Sequence, residues 1–299
     1  MKLLVTGGTV FVSRYVAEYF VHNGDEVYVL NRNSRSQSEG VHLINGDRHN
    51  LGESLKNYAF DAVLDITAYT KQDVQDLKNA LGDVPQYIFI SSSAVYPETE
   101  KQPFVENQTI GYNSVWKDYG LNKCAAEAYI AENIPNAYIL RPPYFYGPMQ
   151  NLYREGFVFD CAMKKRPFYI PKDGSMPLQF FHVEDLCRLI KIILEEKPNE
   201  HILNVGNPQT VDINEWVELC YKVVGTPLKK VYVDESHEQR SYFCFYDYGY
   251  VLNVEKQMQL LSSVKPLEEG LKESFEWYIR YGQNMFKKPY MQYIDENLR

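Results

Sequence analysis

Residues 2–32 have the sequence KLLVTGGTVFVSRYVAEYFVHNGDEVYVLNR, which predicts a complete βαβ unit. Residues 2–6 form a short apolar strand, and Gly7-Gly8-Thr9 follows it as a turn. A helix comes next, because apolar residues recur at helical spacing at Phe11, Tyr15, Val16, Tyr19 and Phe20. Asn23-Gly24-Asp25 ends this helix, and residues 26–30 form the second strand. A unit of about 30 residues in this order usually begins a nucleotide-binding α/β domain.

The alternation of strands and helices continues through the first half of the chain. Further apolar strands are predicted at residues 42–44, 62–66, 87–91 and 137–141, and helices over about 71–81 and 119–133. Strands that alternate with helices form a parallel, doubly wound sheet. The predicted fold class is therefore α/β, with a Rossmann sheet and a smaller C-terminal α/β lobe for the substrate.

This regularity ends after Tyr146-Gly147-Pro148. The remaining pattern predicts helices over about 183–196, 212–224 and 266–281 and a strand around 201–205. The simplest division is an NAD(P)-binding Rossmann domain over residues 1–165, rejoined by about 180–206, and a substrate-binding lobe over residues 166–299. Ligands of open α/β sheets bind at the carboxyl edge of the strands, so the expected site is the cleft between the lobes.

The composition is that of a globular protein and argues against two classes of partner. The 31 Lys and Arg against 39 Asp and Glu among 299 residues give a net charge of −8. This balance speaks against binding of nucleic acid through bulk charge, although a local basic patch stays open. No apolar run approaches the roughly 18 residues of a membrane span. Five scattered cysteines without a C-x-x-C pair are typical of a reduced, cytoplasmic protein without a metal site.

The glycine turn matches a dinucleotide fingerprint only in part. That fingerprint needs glycine for the tight turn, for the approach of the pyrophosphate and for the packing of helix on strand. Gly7 meets the first need, whereas Val10 and Ser13 occupy the other two positions. Two interpretations follow: a dinucleotide site, or the remnant of one that no longer holds a cofactor tightly.

The end of the second strand favours NADP over NAD. An NAD site usually has an acidic residue here, which accepts a hydrogen bond from the ribose 2′-hydroxyl. Asn31 and Arg32 occupy this place, and Arg32, with Arg14 and Arg35 nearby in sequence, offers a cation for a 2′-phosphate. The alternative is a solvated arginine on a polar loop.

A serine run and a Tyr-Lys pair predict a proton relay. Ser91-Ser92-Ser93 ends the strand at 87–91, and Tyr119 and Lys123 lie one turn apart on the helix at 119–133. A tyrosine of pKa about 10 is a weak base at neutral pH, and a lysine one turn away favours its phenolate. With a serine hydroxyl to hold the substrate oxygen, these groups suit the oxidation of an alcohol or the reduction of a ketone. The Y-x-x-x-K spacing alone also arises by chance in a tyrosine-rich helix.

These features resemble the extended short-chain dehydrogenase/reductases, also called NAD-dependent epimerase/dehydratases. The resemblance extends over nearly the whole chain, in the right order. Its motifs are Thr6-Gly7-Gly8-Thr9, residues 90–96, Tyr119 with Lys123, residues 140–148, residues 181–186, Asn204-Val205-Gly206 and Glu268-Glu269-Gly270-Leu271. The family implies Ser92, Tyr119 and Lys123 as catalytic residues, with Ser92 preferred over Ser93 because it lies four positions before Tyr96.

The resemblance also implies binding residues and an assembly. Asp47 is implied near the adenine, Ala68 beside the cofactor and Pro142-Pro143 near the nicotinamide. The candidate cofactor residues are Gly7, Thr9, Val10, Phe11, Val12, Asn31, Arg32, Asp47, Arg48, Ala68, Tyr119, Lys123, Pro142 and Pro143. The candidate substrate residues are Tyr69, Ser93, Tyr144 and Gln179. The helices at 71–81 and 119–133 build a four-helix dimer interface in this family, so a homodimer is implied by analogy.

Several departures indicate an atypical branch, which contains bacterial proteins of unsettled substrate and chloroplast stem-loop RNA-binding proteins. Tyr144 stands where a substrate-contacting Asn is usual, and Gln179 where an Arg for nucleotide-sugar phosphates often lies. Ser93-Ala94 replaces the Asp-Glu pair of the 4,6-dehydratases. Because alanine transfers no proton, dehydration is not expected.

The leading hypothesis is an NAD(P)-dependent epimerase or reductase that acts on a hydroxyl/keto carbon of a sugar-like small molecule, with or without a linked nucleotide. The alternative is a non-catalytic or RNA-binding member that keeps the fold, and a third is a regulator that binds the cofactor without turnover. His182 is interpreted as a packing residue between the lobes, and no His, Cys, Asp and Glu set has metal-ligand spacing. The 25 tyrosines suit core packing or the wall of a sugar-sized cleft.

Overall fold

The computed structural model describes residues 1–298. Within these residues the helices are α1 (Phe11–His22), α2 (Lys71–Ala80), α3 (Lys117–Asn133), α4 (Glu155–Met163), α5 (Val183–Glu196), α6 (Ile213–Val224), α7 (Gln239–Tyr242), α8 (Glu255–Leu260), α9 (Leu267–Tyr281) and α10 (Tyr290–Asn297). The strands are β1 (Lys2–Thr6), β2 (Glu26–Asn31), β3 (His42–Asn45), β4 (Ala62–Asp65), β5 (Gln86–Ile90), β6 (Ala137–Arg141), β7 (Tyr144–Tyr146), β8 (Phe168–Pro171), β9 (Pro177–Leu178), β10 (Phe180–His182), β11 (Ile202–Asn204), β12 (Val211–Asp212) and β13 (Lys230–Val233). Short 3-10 helices cover Arg48–Asn50, Ser93–Val95 and Gly282–Asn284.

Seven parallel strands form the central sheet, in the order β11-β6-β5-β4-β1-β2-β3. The first βαβ unit pairs β1 with β2 from Lys2 opposite Glu26 to Thr6 opposite Leu30. The chain adds β2 and β3 on one side of β1, and then β4, β5, β6 and β11 on the other. The strand order therefore reverses between β1 and β4, whose carboxyl ends border the crevice where α/β proteins bind ligands. The predicted doubly wound α/β fold is confirmed.

Helices cover both faces of this sheet. Leu3 and Val5 of β1 belong to one apolar core, and Leu4 belongs to the core on the opposite face. A strand buried on both faces needs an uninterrupted apolar sequence, which β1 has. On one face α1 packs against α5, and on the other α2 packs against α3. The helix that carries Tyr119 and Lys123 is therefore fixed to the sheet beside α2.

The C-terminal half has an aromatic core of its own. Three two-stranded sheets form here, β7 with β10, β8 with β13 and β9 with β12. Fully buried aromatic side chains dominate this core, among them Tyr96, Tyr146, Phe157, Phe159, Phe168, Trp216, Tyr221 and Tyr242. Much of the tyrosine excess therefore serves packing.

Helix α4 is absent from the sequence prediction for a physical reason. Eight of its nine residues are buried, Glu155 through Ala162. A helix that is buried all round has no polar face, so the 3.6-residue period that marks surface helices is missing. The predicted helices and strands of the Rossmann half, by contrast, are all present in the described residues.

Two predictions from composition concern the whole chain. Among the described residues, no helix combines the length and the apolar character needed to cross a membrane. The five cysteines are all free thiols in the described structure, and Cys124 alone of them is only partly buried.

Candidate active site

The glycine turn between β1 and α1 has the tight backbone that a dinucleotide fingerprint requires. Gly7 and Gly8 have φ angles of 93° and 87°, a region that glycine adopts readily. A Cβ at Gly7 would lie 2.8 Å from Ser13 Oγ, and one at Gly8 would lie 2.5 Å from Val29 Cγ1. Asn31 braces the turn, since its amide nitrogen donates to the carbonyl oxygen of Gly7 over 2.7 Å.

The N-terminus of α1 faces the cleft without a side-chain cap. Val10 is the N-cap residue and has no capping oxygen, and the first turn holds no acidic residue. Ser13 Oγ donates to the carbonyl oxygen of Val10 at 3.0 Å, so it does not cap the N–H groups either. Residues 10–13 line the cleft. Uncapped N–H groups and the helix dipole bind anions, so this turn fits the pyrophosphate of a dinucleotide despite Val10 and Ser13.

Ser92 and Tyr119 meet at the centre of the same cleft. Ser92 follows β5 and caps the 3-10 helix Ser93–Val95, where its Oγ accepts from the backbone N–H of Ala94 at 3.2 Å. The Ser92 hydroxyl lies close enough to that of Tyr119 to lower the pKa of the tyrosine. Lys123 lies one turn farther along α3, and all three residues line the cleft. The structure thus brings together the three residues that the sequence predicts as catalytic.

Lys123 is held by the ends of two strands. Its side chain is buried, and Nζ donates to the carbonyl oxygen of Ala68 at 2.8 Å and to that of Ile90 at 2.7 Å. The rings of Phe89 and Tyr69 lie 4.8 Å and 5.4 Å from Nζ. Among the described residues no carboxylate forms an ion pair with Lys123, so main-chain oxygens and aromatic faces hold its charge.

Burial is the largest cause of the shifted pKa of Tyr119 and of Lys123, the two side chains predicted to be catalytic. Burial raises the pKa of Tyr119 above its ordinary value of 10, against the opposing influences of the Ser92 hydroxyl and the charge of Arg154. Burial lowers the pKa of Lys123 to about 8, against the attraction of Asp65 and Glu127. At neutral pH, Tyr119 therefore holds its proton and Lys123 carries most of its charge.

The residues predicted on the adenine side differ in how exposed their side chains are and in whether other residues hold them. Arg32 is exposed and has no ion-pair partner among the described residues. Asp47 is also exposed, and its carboxylate accepts from the backbone N–H of His49 at 3.0 Å. Arg48 is turned inward, with its side chain 11% exposed and Nη2 2.7 Å from Asp65 Oδ1. Arg32 and Asp47 are thus accessible to a ligand, whereas Arg48 is held by the protein.

The remaining predicted residues divide into those inside and outside the cleft. The lining includes Val10, Phe11, Val12, Tyr69, Ser92, Ser93, Tyr119, Lys123, Pro142, Pro143 and Tyr144. Outside the lining are Gly7, Thr9, Asn31, Arg32, Asp47, Arg48, Ala68 and Gln179. Gln179 is buried, and its amide bonds to the backbone of Asn207 and Leu252, so the structure does not bring it to the substrate.

Aromatic side chains form the substrate half of the cleft, whose volume is about 560 Å³. Tyr69 and Tyr246 are 58% and 43% exposed there. Deeper in, Ser93 Oγ donates to the hydroxyl of Tyr250 at 3.0 Å, and the Tyr144 ring packs 5.8 Å from that of Tyr250. The cleft is within the range of ordinary small-molecule sites and offers flat faces with a few hydroxyls.

Three cations beyond Tyr144 have no counterpart in the sequence prediction. Arg154, Arg240 and Lys288 line one small recess that adjoins the cleft. Arg154 and Arg240 lie over the rings of Tyr144 and Tyr246, at 4.8 Å and 4.6 Å. None of the three has an ion-pair partner among the described residues, and the charges of Arg240 and Arg154 help burial to lower the pKa of Lys288. No local motif reveals this cluster, because its members come from three distant segments.

His182, Glu184 and Glu273 come close enough together to suggest a metal site. Lys265 already occupies the space between the carboxylates, with Nζ 2.5 Å from Glu184 and 2.6 Å from Glu273. His182 Nδ1 accepts from the backbone N–H of Glu184 and so caps α5. This cluster is therefore a network of one lysine and two carboxylates at the start of α5. His182 caps the helix there, which agrees with its interpretation as a packing residue.

Part of the chain that contains this cleft matches a known protein family. Residues 76–206, which contain Ser92, Tyr119 and Lys123, match the model of the NAD dependent epimerase/dehydratase family. The chloroplast stem-loop binding protein of 41 kDa b from Arabidopsis thaliana is 27% identical over 314 residues, covering 96% of this chain and 81% of that protein. Its name is that of a chloroplast stem-loop binding protein, which the predicted branch includes.

Solved structures share the fold over almost the whole chain. UDP-glucose 4-epimerase from Thermotoga maritima, solved with UDP-glucose, has a TM-score of 0.76 at 20% identity and covers 95% of this chain and 100% of its own. UDP-glucuronic acid 4-epimerase from Bacillus cereus, solved with UDP-glucuronic acid and NAD, has a TM-score of 0.74 at 20% identity and covers 94% and 99%. The resemblance that the motifs predict is confirmed: residues 76–206 match the family model of the NAD dependent epimerases/dehydratases, and almost the whole chain shares the fold of these two solved epimerases.

Proposed function

We propose that the protein is an NAD(P)-dependent epimerase or reductase acting on a hydroxyl/keto carbon of a sugar-like, nucleotide-linked substrate. The observation that carries the proposal is that Ser92, Tyr119 and Lys123 line one cleft together with the uncapped N-terminus of α1. When bound, the nicotinamide supplies the acceptor or donor of the hydride. Residues 10–13, Pro142 and Pro143 line the part of the cleft that would hold this cofactor.

The three polar side chains divide the proton chemistry between them. Ser92 orients the substrate oxygen through its hydroxyl. Tyr119 gives its proton to a carbonyl oxygen during reduction and takes the hydroxyl proton during oxidation. Lys123, held by the carbonyl oxygens of Ala68 and Ile90, favours the phenolate through its charge and would bind the ribose of the cofactor. The raised pKa of Tyr119 suits the acid role in the ligand-free state.

The recess formed by Arg154, Arg240 and Lys288 supports an anionic group on the substrate. Unpaired cations beside a cleft bind phosphate or carboxylate groups strongly, because such contacts are charge-assisted. A sugar joined to a nucleotide diphosphate would place its sugar ring on the aromatic faces near Tyr119 and its phosphates at this recess. The relatives solved with UDP-sugars carry ligands of this class.

Epimerisation and reduction make different demands on the same residues. Epimerisation needs the keto intermediate to turn over in the cleft and take the hydride back before the cofactor leaves. Reduction needs the oxidised cofactor to dissociate after each turnover. A panel of UDP-glucose and UDP-glucuronic acid with NAD⁺ and NADP⁺ distinguishes them: a reductase working in reverse forms one reduced cofactor for each keto product released, whereas an epimerase forms the isomer with no net change in the cofactor.

Replacement of Tyr119 tests the proposal. We expect Tyr119→Phe to lose about a hundredfold or more in turnover on an active substrate, since general acid–base catalysis contributes that much. Tyr112→Phe is the matched control, because Tyr112 is an exposed tyrosine outside the cleft lining. Mass spectrometry of small molecules that co-purify with the protein would identify the substrate to use. If Tyr119→Phe retains most of the turnover, the proposed mechanism is wrong.

The second candidate is an RNA-binding member that does not turn over a substrate. The relative from Arabidopsis thaliana favours it by name, and Val10 and Ser13 depart from the usual fingerprint. This candidate requires salt-dependent binding of an RNA stem-loop at physiological ionic strength, together with no binding of NADH or NADPH. Cofactor bound in the cleft would eliminate it.

A further inference from the structure

A buried carboxylate lies at the end of β4, beneath the catalytic cleft. Asp65 is fully buried and accepts hydrogen bonds from three side chains: from Thr6 Oγ1 at 2.8 Å, from Arg48 Nη2 at 2.7 Å and Nη1 at 3.5 Å, and from the hydroxyl of Tyr87 at 2.6 Å. A buried ion pair is weak evidence for a role in stability, because apolar side chains of similar volume stabilise a core as well or better. The pair of Asp65 and Arg48 therefore calls for another explanation.

Arg48 joins three parts of the structure around this carboxylate. Besides Asp65, its guanidinium donates to Thr67 Oγ1 at 3.3 Å and to the carbonyl oxygen of Asp73 at 3.3 Å. It thus connects the 3-10 helix Arg48–Asn50, the loop after β4 and the first turn of α2. Neither of the other cations near the glycine turn, Arg14 and Arg32, makes contacts of this kind.

The loop after β4 is held from both ends, and Lys123 bonds to its middle. Thr6 Oγ1 accepts from the N–H groups of Ile66 and Thr67 at 2.9 Å and 3.1 Å. The carboxylate of Asp73 accepts from the N–H groups of Tyr69 and Thr70, both at 2.8 Å. Between these anchors lies Ala68, whose carbonyl oxygen accepts from Lys123 Nζ.

We propose that Arg48 and Asp65 are positioning residues for Lys123. Together they hold the loop that presents the Ala68 carbonyl, and they place two opposite charges beneath the ammonium. The inference rests on the proposed function for the role it gives Lys123, but the action of the pair on that side chain can be measured separately.

The charges around Lys123 make the two members of the pair distinguishable. Asp65, Glu127 and Asp73 raise the pKa of Lys123, Arg48 lowers it, and burial, the largest cause, lowers it further to about 8. The tyrosines that face the ammonium are Tyr69 and, one turn earlier on α3, Tyr119. Neutralising Arg48 must therefore raise the pKa of Lys123, and neutralising Asp65 must lower it. A role confined to packing would not produce shifts of opposite sign.

The test follows Lys123 directly, without cofactor or substrate. Protein labelled with ¹³C at lysine Cε is titrated from pH 6 to pH 10 by NMR, and Lys123→Met identifies the Lys123 signal. We expect the inflection of Lys123 to move up by about 0.5–1 pH unit in Arg48→Gln and down by a similar amount in Asp65→Asn. Arg48→Lys keeps the charge and should stay near the wild type. Arg188→Gln is the matched control, because Arg188 pairs at 2.8 Å with another buried aspartate, Asp185, on α5.

A second readout measures position as well as charge. The affinity for NADPH, followed by its fluorescence, should fall by at least about tenfold in Arg48→Gln and Asp65→Asn and be partly restored in Arg48→Lys, since small displacements of a binding group are costly. Thermal melting shows which variants fold. If Arg48→Gln does not fold, Asp65→Asn by itself still tests the inference.

The outcomes separate this inference from the proposed function. An unmoved inflection in Asp65→Asn, or shifts of the same sign in both variants, would overturn the inference. If the opposite shifts appear but Lys123→Met binds NADPH as tightly as the wild type, the pair acts on Lys123 as inferred, and the role that the proposed function gives Lys123 is wrong.

Discussion

Glu155 is a buried acid without a hydrogen-bond partner for either carboxylate oxygen among the described residues. Burial raises its pKa from 4.5 to about 7, against the charge of Arg154. A folded-state pKa above the unfolded value gives stability that is fully present below about pH 4.5 and lost as the pH rises through about 7. The ionised form therefore costs the folded state of the order of 3 kcal/mol at alkaline pH.

Glu155→Gln should remove this cost. We expect the variant to be more stable than the wild type at pH 9, by up to about 3 kcal/mol, and to differ little from it at pH 5. Urea unfolding at pH 5, 7 and 9 measures the difference, with the exposed Glu132→Gln as control. An equal effect of Glu155→Gln at all three pH values would contradict the shifted pKa.

Arg32 carries the prediction of cofactor preference. It is exposed at the end of β2, and the adjacent Asn31 is hydrogen-bonded to Gly7 and Gln37. Because neither residue is acidic, neither offers a carboxylate to a ribose 2′-hydroxyl. We expect NADPH to bind about tenfold more tightly than NADH, and Arg32→Gln to remove most of that difference through loss of a charge-assisted contact. Fluorescence titration with both cofactors measures this, with the exposed Arg280→Gln as control. Tighter binding of NADH than of NADPH by the wild type would contradict the predicted preference.

Single residues also show where sequence prediction of the site succeeds and where it cannot. That Ser92, Tyr119 and Lys123 share one cleft could be predicted, because the strand end and the i, i+4 helix spacing agree with the motifs of the family that the chain resembles. Gln179 could not, because its amide is occupied by backbone groups of Asn207 and Leu252, which only the fold brings near. Arg48 poses the same difficulty: its partner Asp65 is seventeen positions away on another strand.

At the scale of elements, α3 must approach the loop after β5 closely to place Tyr119. A Cβ at Gly120 would lie 2.4 Å from the carbonyl oxygen of Ala94, which is backbone and cannot move aside cheaply. We expect Gly120→Ala to push α3 outward, to destabilise the fold by about 1–3 kcal/mol, and to break the contact between Tyr119 and Ser92.

Gly82→Ala is the matched control for this substitution. A Cβ there meets only the carbonyl oxygen of Lys56, at an ordinary 3.5 Å. Chemical denaturation and turnover on the same substrate distinguish the two variants, since Gly120→Ala should lose activity beyond its loss of folded protein. A Gly120→Ala variant with wild-type stability and activity would show that the close approach is not needed.

Some helices and strands could be predicted from the sequence, and others could not. Strands β1 to β6 and helices α1 to α3 alternate in the order of a doubly wound sheet, and each has a periodic apolar pattern, so fold class and boundaries could be predicted. Helix α4 and the two- to four-residue strands β7 to β10 could not, because a fully buried helix has no polar face and a two-residue strand has no period. Of these segments, β7 lines the cleft, through Tyr144 and Phe145.

For the whole molecule, overall charge and local charge point in different directions. The net charge of −8 disfavours broad contact with nucleic acid, yet Arg154, Arg240 and Lys288 gather unpaired beside the catalytic cleft. A compact cluster of this kind suits one anionic group of a small molecule better than a nucleic-acid backbone, which needs an extended basic surface. The charge distribution thus favours the enzyme over the RNA-binding alternative.

The last prediction at this scale concerns assembly. The family analogy implies a homodimer through α2 and α3, and α3 exposes the small or apolar residues Leu121, Ala125 and Ala128 along one outward stripe, with Leu121 40% exposed. Two copies of this stripe packed about a twofold axis would form part of a four-helix interface, which is self-complementary as a C2 dimer requires.

We expect the mass measured by light scattering after size exclusion to be twice that of one chain. Leu121→Arg should yield monomers, because it buries a charge at the centre of that interface. Ile279→Arg, at an exposed apolar position on α9, should leave the dimer intact. A wild-type monomer at micromolar concentration, or a dimer that Ile279→Arg breaks and Leu121→Arg does not, would place the interface elsewhere or remove it.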